Sequence, residues 1–509
     1  MYLEIVKDIT IAQWILLVPL SLVIFITIQW KLYQRRNRNI LNVAYKLPIP
    51  IPCNMILGTW YNPHSKIWVP TYTGEDFTNS STIAMKTAAK QPYSLYCMWA
   101  GPIPQIFVQK PQDAQIILTS SKALEKGPEY RFSRFAFGDG LITAPGAKWK
   151  ISRRNMNPIF HRQNLNYLTR VFNRSSQQLV EDLGSHDDGK VFDVFDSLLK
   201  ASVSSVCSIL FGLEGQKEMD GKDVDLGTSL IFRIGYITSE RAFRPWLWSD
   251  QAFYYIYKNK LQELENMWTQ FISKPMKVMG NEGLMTLPEA YSNILKEHSL
   301  FSEEDMHAEM KTVLATGSDT TTLGVSSCLL LLGTHPEIQD RLYNEITSLL
   351  NSDDEDITIE DVNSLPFLDQ VIKESLRLST IVIAFKRTFS DDIKLTEHTI
   401  PKGASVMVSV IGLHFDPEVY PDPYEFKPER FTPENSAKRH PYSFLPFSGG
   451  PRNCIGKQYA MISMKIMLAY ILRKYKVHAK DNLLDLRYFF TISLRSIDGY
   501  NISLERRKQ

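Results

Sequence analysis

The chain has 509 residues, 44% of them hydrophobic and 22% charged, with a formal net charge of +2. That length and apolar share can bury a large core, and the near balance of charge speaks against a nucleic-acid binder, whose basic stripe would dominate it. The five cysteines, Cys53, Cys97, Cys207, Cys328 and Cys454, are odd in number, scattered and free of zinc or C-x-x-C spacing, which fits a reducing, cytosol-facing compartment rather than a disulfide framework.

Ile9 to Trp30 carries no charged residue, and as a helix it is ~33 Å long, enough to cross a bilayer. Lys31, Arg35, Arg36 and Arg38 follow it, which places the bulk of the chain on the cytoplasmic side. An apolar run that enters a basic cluster, with no small-residue cleavage site, reads as an anchor rather than a cleaved signal. Leu47 to Pro52 then alternates proline with apolar residues, an extended and semi-rigid segment. The expected organisation is an anchor over 1–30, a basic and proline-rich linker over 31–52, and one large domain over 53–509.

Within that domain, Tyr93 to Gln109, turning at Gly101-Pro102, reads as a β-hairpin, and Pro111 to Leu118 as a short helix. Helical patterns dominate from there to Leu378. Trp149 and Arg153 stand four apart, so a helix puts both on one face, with Lys150 and Arg154 facing outward. The aromatic stretch from Arg244 to Tyr257 suits either a buried core or a membrane interface. A helical pattern from Glu303 to Leu332 contains Ala315-Thr316-Gly317-Ser318-Asp319-Thr320-Thr321-Thr322. Its glycine and hydroxyls are expected to loosen the helix, either into a groove beside a ligand or simply as a glycine-loosened helix whose threonines bond back to preceding carbonyls. Glu374 and Arg377 are i, i+3 on a further helix. Short β-branched runs from Lys386 to Val408 and from Leu486 to Leu504, broken by Gly403 and Gly499, read as strands. The fold class is mainly α with small β-sheets, an α+β chain.

Phe447-Ser448-Gly449-Gly450-Pro451-Arg452-Asn453-Cys454-Ile455-Gly456 states a chemistry. Two glycines and a proline make a tight turn that presents a thiol. The apolar-periodic run from Tyr459 to Tyr475 suggests a helix beginning near Cys454, whose N-terminal amides favour a thiolate. This F-x-x-G-x-R-x-C-x-G pattern resembles the haem-binding loop of the cytochrome P-450 family. The resemblance extends along the chain in order, through the proline segment, W-x-x-x-R, Asp319-Thr320, E-x-x-R and the Pro428-Glu429-Arg430-Phe431 motif. Arg439 to Phe447 and Arg244-Pro245-Trp246-Leu247 are similar to the family-4 clan of animal microsomal enzymes, the latter pointing to insects.

The resemblance implies a cytochrome P-450 fold with one N-terminal transmembrane helix, with 53–509 as the haem-thiolate catalytic domain. It implies haem b, with Cys454 as the metal ligand and Phe447 in the haem loop. Trp149, Arg153, Arg387 and Arg452 become donors to the haem propionates, matching the suitability of arginine for carboxylates. Asp319 and Thr320 become the catalytic acid and alcohol that relay protons. Glu374, Arg377 and Arg430 become a buried lock on the haem side. The implied reaction inserts one oxygen atom from O2 into a lipophilic small molecule. Its electrons come from NADPH through cytochrome P-450 reductase, with cytochrome b5 as a further partner, at the endoplasmic reticulum membrane and without nucleic acid. Haem-thiolate isomerases that rearrange peroxides tend to lose the acid–alcohol pair, and a non-catalytic haem carrier has no use for it. The sequence departs from the clan at Thr316, where many relatives carry a glutamate esterified to a haem methyl. A threonine cannot form that ester and Glu309 lies about two turns back, ~10 Å along the axis, so haem held without an ester bond is expected.

Overall fold

The computed structural model describes residues 24, 27–49, 86–91, 93–100, 103–273, 285–350, 355–491 and 493–507. Most of the expected anchor, the end of the proline segment and Cys53 lie outside these residues. After a helical stretch at 27–36, the helices longer than nine residues are α1 (Gly146–Met156), α2 (Arg162–Leu183), α3 (Phe195–Lys217), α4 (Gly221–Phe243), α5 (Asp250–Ser273), α6 (Leu287–Glu297), α7 (Glu303–Thr334), α8 (Pro336–Leu349), α9 (Pro366–Ser379) and α10 (Lys457–Lys474).

The strands are β1 (Leu95–Ala100), β2 (Ile103–Val108), β3 (Glu125–Lys126), β4 (Phe192–Asp193), β5 (Ala384–Thr388), β6 (Ile393–Lys394), β7 (Thr399–Ile400), β8 (Ser405–Ser409), β9 (Tyr475–Ala479), β10 (Tyr488–Phe490), β11 (Leu494–Ser496) and β12 (Asn501–Arg506). They form a five-stranded sheet in the order β1-β2-β8-β5-β3, a three-stranded sheet β4-β12-β9, and the pairs β6-β7 and β10-β11. Among the described residues only β2 and β8 run parallel; the remaining pairs are antiparallel.

Helix α7 is the axis of the helical core, and its sequence shows why. Ser302 and Asp305 close a capping box at its start, with three acids in the first turn, where they satisfy free amides and the helix dipole. From Ala308 onward it is buried nearly all round, as an apolar helix must be. It packs against α3, α9, α10 and β9. A Cβ on Gly317 would lie 3.1 Å from Val206 of α3, and one on Gly324 would lie 2.6 Å from the Met464 sulfur of α10. These glycines are sites of close helix approach.

The five-stranded sheet carries a second core. Its period of two sends Ile106, Val108, Val406 and Val408 into that core, while Tyr96 and Phe107, stacked at 4.9 Å, face the helical one. The linker enters here, since Cys97 N–H donates to the Pro48 carbonyl. Among the described residues one segment, Phe195–Leu213, is long and apolar enough to span a membrane, yet 72% of it is buried inside the protein. It is a core helix.

Candidate active site

The loop before α10 holds its shape by backbone constraints. Ser448 N–H donates to the Leu445 carbonyl, Asn453 N–H to Gly450 and Cys454 N–H to Phe447. Ser448 and Gly450 take φ of 59° and 67°, and a Cβ on Gly450 would stand 1.8 Å from the Leu118 carbonyl oxygen, so only glycine fits. Gly456 caps α10 and its N–H points at the Cys454 sulfur. Cys454 is exposed, in contrast to the buried Cys97, Cys207 and Cys328, yet enough protein surrounds it for burial to push its thiol upward. It therefore lies in a concavity. The Gly456 N–H, Arg153 and Lys457 pull in the opposite direction, and a bound cation would supply the rest of the charge that a thiolate needs.

Beside the loop three cations converge. Arg387, on β5, is 1% exposed; its Nη1 donates to the Lys386 carbonyl and its Nη2 is buried without a partner. Arg452 donates through Nε to the Leu124 carbonyl and through Nη2 to Ala144, its plane rests 4.4 Å from the Trp149 ring, and its Nη1 is likewise unsatisfied. Burial and the neighbouring Arg387 bring Arg452 down to about 10. Burial, Arg387 and Arg452 together depress half-buried Lys126, on β3. Orphaned guanidinium donors at these depths are costly unless an anion meets them. Haem fits this donor set, with two carboxylates for the cations and an iron for the sulfur.

Helix α1 carries Trp149, buried, and Arg153, half-buried. Arg153 is committed to the cysteine loop: Nη1 donates to the Asn453 carbonyl at 2.7 Å and Nη2 to Asn453 Oδ1 at 2.8 Å. Lys150 and Arg154 are exposed, as the i, i+4 spacing requires.

The expected loosening of α7 at Thr316 to Thr322 does not occur. The helix runs unbroken from Glu303 to Thr334, because the hydroxyls of Thr316, Thr320, Thr321 and Thr322 donate to carbonyls four residues back and leave the ladder intact. Thr316, Asp319 and Thr320 line one cavity with Phe232 and Gly235 of α4 and with Thr491 and Arg495 of the β10–β11 hairpin. Asp319 accepts a 2.5 Å hydrogen bond from Ser493. Burial raises its carboxyl, against the pull of Ser493 and Arg495. Glu309 is remote from this cavity. It is fully buried, both its oxygens accept from Leu141 N–H, and burial pushes it up to about 8.

The E-x-x-R pair is buried and paired. Arg377 donates to both Glu374 oxygens at 2.7 and 2.8 Å and to the His414 and Pro423 carbonyls. Arg430 Nε reaches Glu374 at 3.2 Å. His414, fully buried and held neutral, accepts from Leu445 N–H just before the cysteine loop. A separate cavity of about 380 Å3 between Leu331, His335 and the 424–427 segment touches no residue of that loop.

Sequence reasoning missed Lys126, Tyr130 beside Arg387, His414, Ser493 and Arg495. Each matters only through partners far away in the chain, and none sits in a spaced motif. The family model for cytochrome P450 matches residues 74–495. Cytochrome P450 4V2 of Mus musculus is 33% identical over 436 residues, covering 81% of this chain and 82% of the relative. The Homo sapiens 4V2 protein is 31% identical over 433 residues, again 81% and 82%, and cytochrome P450 4c3 of Drosophila melanogaster is 30% identical over 439 residues, 81% of each. Together with a cysteine presented at a helix start beside unsatisfied buried arginines, these matches identify the chain as a member of the cytochrome P450 family, the haem-thiolate monooxygenases, and similar to its family-4 members.

Proposed function

We propose that this enzyme oxidises lipophilic small molecules, such as fatty acids, terpenoids, hormones, odorants or xenobiotics, with NADPH electrons delivered by cytochrome P-450 reductase and, as a second donor, cytochrome b5. The observation that carries the reading is the accessible Cys454 at the head of α10, next to two buried arginines with unsatisfied donors. Bound haem would supply dioxygen activation, which a thiolate ligand favours. The chain supplies the frame. Cys454 would hold the iron and Arg387 and Arg452 would take the propionates against the Trp149 ring, while Arg153 braces the loop through Asn453 and Phe447 fixes the Cys454 amide.

Asp319 and Thr320 manage protons in the cavity. The Thr320 hydroxyl hydrogen is engaged by the Thr316 carbonyl, so its lone pairs are what it offers. It holds a proton donor in place, while the half-buried Asp319 carboxyl passes protons inward. General acid–base assistance of this kind is worth ~10² to 10⁴ in rate. The Thr316 hydroxyl, committed to Thr312, and the distant Glu309 both support haem held without an ester bond.

The membrane pose rests on the apolar 9–30 segment and on the surface of the connection between α4 and α5 and the start of α5. There Trp246, Tyr254, Tyr255 and Ile256 are 58%, 49%, 86% and 57% exposed, a cluster that suits the bilayer interface. The exposed Lys150 and Arg154 suit an acidic reductase. We place the enzyme at the endoplasmic reticulum with its large domain in the cytosol. The test is reconstitution with the reductase in vesicles. NADPH oxidation stimulated by a fatty acid or terpenoid, with oxygenated product, supports the reading. Thr320→Ala should retain haem and divert electrons to peroxide, and unchanged product per NADPH in that variant contradicts the relay.

A further inference from the structure

Asp319 is turned away from the residue beside it. Its Oδ2 accepts the Ser493 hydroxyl at 2.5 Å, whereas the Thr320 hydroxyl is spent on the Thr316 carbonyl. Ser493 is fully buried and its surroundings hold it still. Its carbonyl accepts Thr491 N–H, and the next residue, Leu494, donates to the Ile381 carbonyl beyond α9. Arg495, two residues on, packs against the rings of both Phe195 and Phe232 at 4.0 and 4.1 Å, and it lines the same cavity as Asp319. A guanidinium packed against two rings whose centroids are 6.4 Å apart has little freedom to swing.

Charge around Arg495 is accounted for within the protein. Asp319, Asp196, Asp193 and Tyr500 all bear on it, and Tyr500 also faces Asp319. Helix α4 contributes only Ile231, Phe232 and Gly235 to the cavity, none of them titratable. With three carboxylates against one guanidinium, Arg495 suits the role of fixed counter-ion to Asp319 better than that of receptor for an anionic substrate.

We propose that Ser493 and Arg495 of the β10–β11 hairpin are positioning residues for Asp319, the hydroxyl orienting its carboxylate and the ring-packed guanidinium fixing its charge, so that proton supply to the cavity is set from the hairpin. This rests on Asp319 being the proton donor of the relay. Both groups favour the ionised carboxylate, so loss of either must raise the pH at which Asp319 protonates.

The experiment compares Ser493→Ala, Arg495→Gln and Asp319→Asn in the full-length enzyme with its reductase, using lauric acid or, where wild type turns it over faster, farnesol. Each variant is first checked for an intact carbon-monoxide band, with Ser493→Cys replacing Ser493→Ala where alanine does not fold. Product per NADPH should fall several-fold in Ser493→Ala and Arg495→Gln. The pH profile of coupling should move upward by about one unit, the size of a lost charge-assisted hydrogen bond. Ser493→Thr and Arg495→Lys should restore both, and Ser493→Ala should add nothing in the Asp319→Asn background. If Asp319→Asn uncouples the enzyme while the hairpin variants keep wild-type coupling and profile, this proposal alone falls. If Asp319→Asn leaves coupling unchanged, the relay reading falls and the proposal with it.

Discussion

Glu309 gives a pH dependence with a sign opposite to that of most carboxylates. It is fully buried on α7, and among the described residues Leu141 N–H is its donor, at 2.8 and 3.1 Å from its two oxygens. Burial raises its pKa from 4.5 to about 8, the Leu141 N–H opposes, and Asp305 adds to the rise. Between those values the unfolded chain has released the proton and the folded protein still holds it. Stability contributed by the neutral carboxyl is therefore present in full below about pH 4.5 and is lost as pH rises toward 8. At ~1.4 kcal/mol per unit, the whole window is worth at most about 5 kcal/mol. Glu309→Gln keeps an acceptor for Leu141 N–H and cannot ionise. The assay is the urea midpoint of the two proteins, followed by far-UV circular dichroism at matched pH values from 5 to 8, where other groups cancel in the difference. The variant should gain on the parent steadily as pH rises. A gap that stays flat, or that closes with rising pH, refutes the reasoning. The seat matters to the site because Leu141 leads to Ala144, whose carbonyl holds Arg452.

Three further outcomes follow from the packing. Glu374→Ala strands the buried Arg377 charge and should cost ~3–5 kcal/mol, read as a lower urea midpoint and as faster haem loss; a loss below 1 kcal/mol, the range of a surface pair, contradicts a buried lock. Arg387→Gln removes a charged donor from the convergent cations and should weaken haem retention by about 10- to 100-fold, measured as transfer to an apo-globin acceptor, while Arg154→Gln on the outer face should not. Acid–organic extraction followed by mass measurement of the polypeptide should find no haem attached, since Thr316 cannot form the ester and Glu309 is buried against Leu141.

Local signals were the legible ones. The β1–β2 hairpin, the helix at Trp149, α7, and the start of α10 just after Cys454 follow from turn residues and from periodicities of two and 3.6, which act over a few positions. The glycine run before Cys454 was readable for the same reason, because Gly450 has a backbone need that no other residue meets. Arg153 shows where reading ends. Its place on α1 beside Trp149 was predictable, but its attachment to Asn453 depends on a loop three hundred residues away. The aromatic run from Trp246 to Tyr257 is another instance. Composition could not divide it, whereas helix geometry buries Phe253 and Tyr257 and exposes Tyr254, Tyr255 and Ile256. The expectation of a loosened α7 failed on an energetic point. Threonine hydroxyls can satisfy themselves on the preceding turn without disturbing it, and Gly317 answers to Val206 rather than to a break.

The claim on which the rest depends is that Cys454 binds haem iron as a thiolate. The direct measurement is the carbon-monoxide difference spectrum of the reduced protein, taken on the parent and on Cys454→Ala with circular dichroism confirming that both are folded. The parent should show the thiolate-type band and the folded variant should lack it; a band that survives in Cys454→Ala contradicts the account.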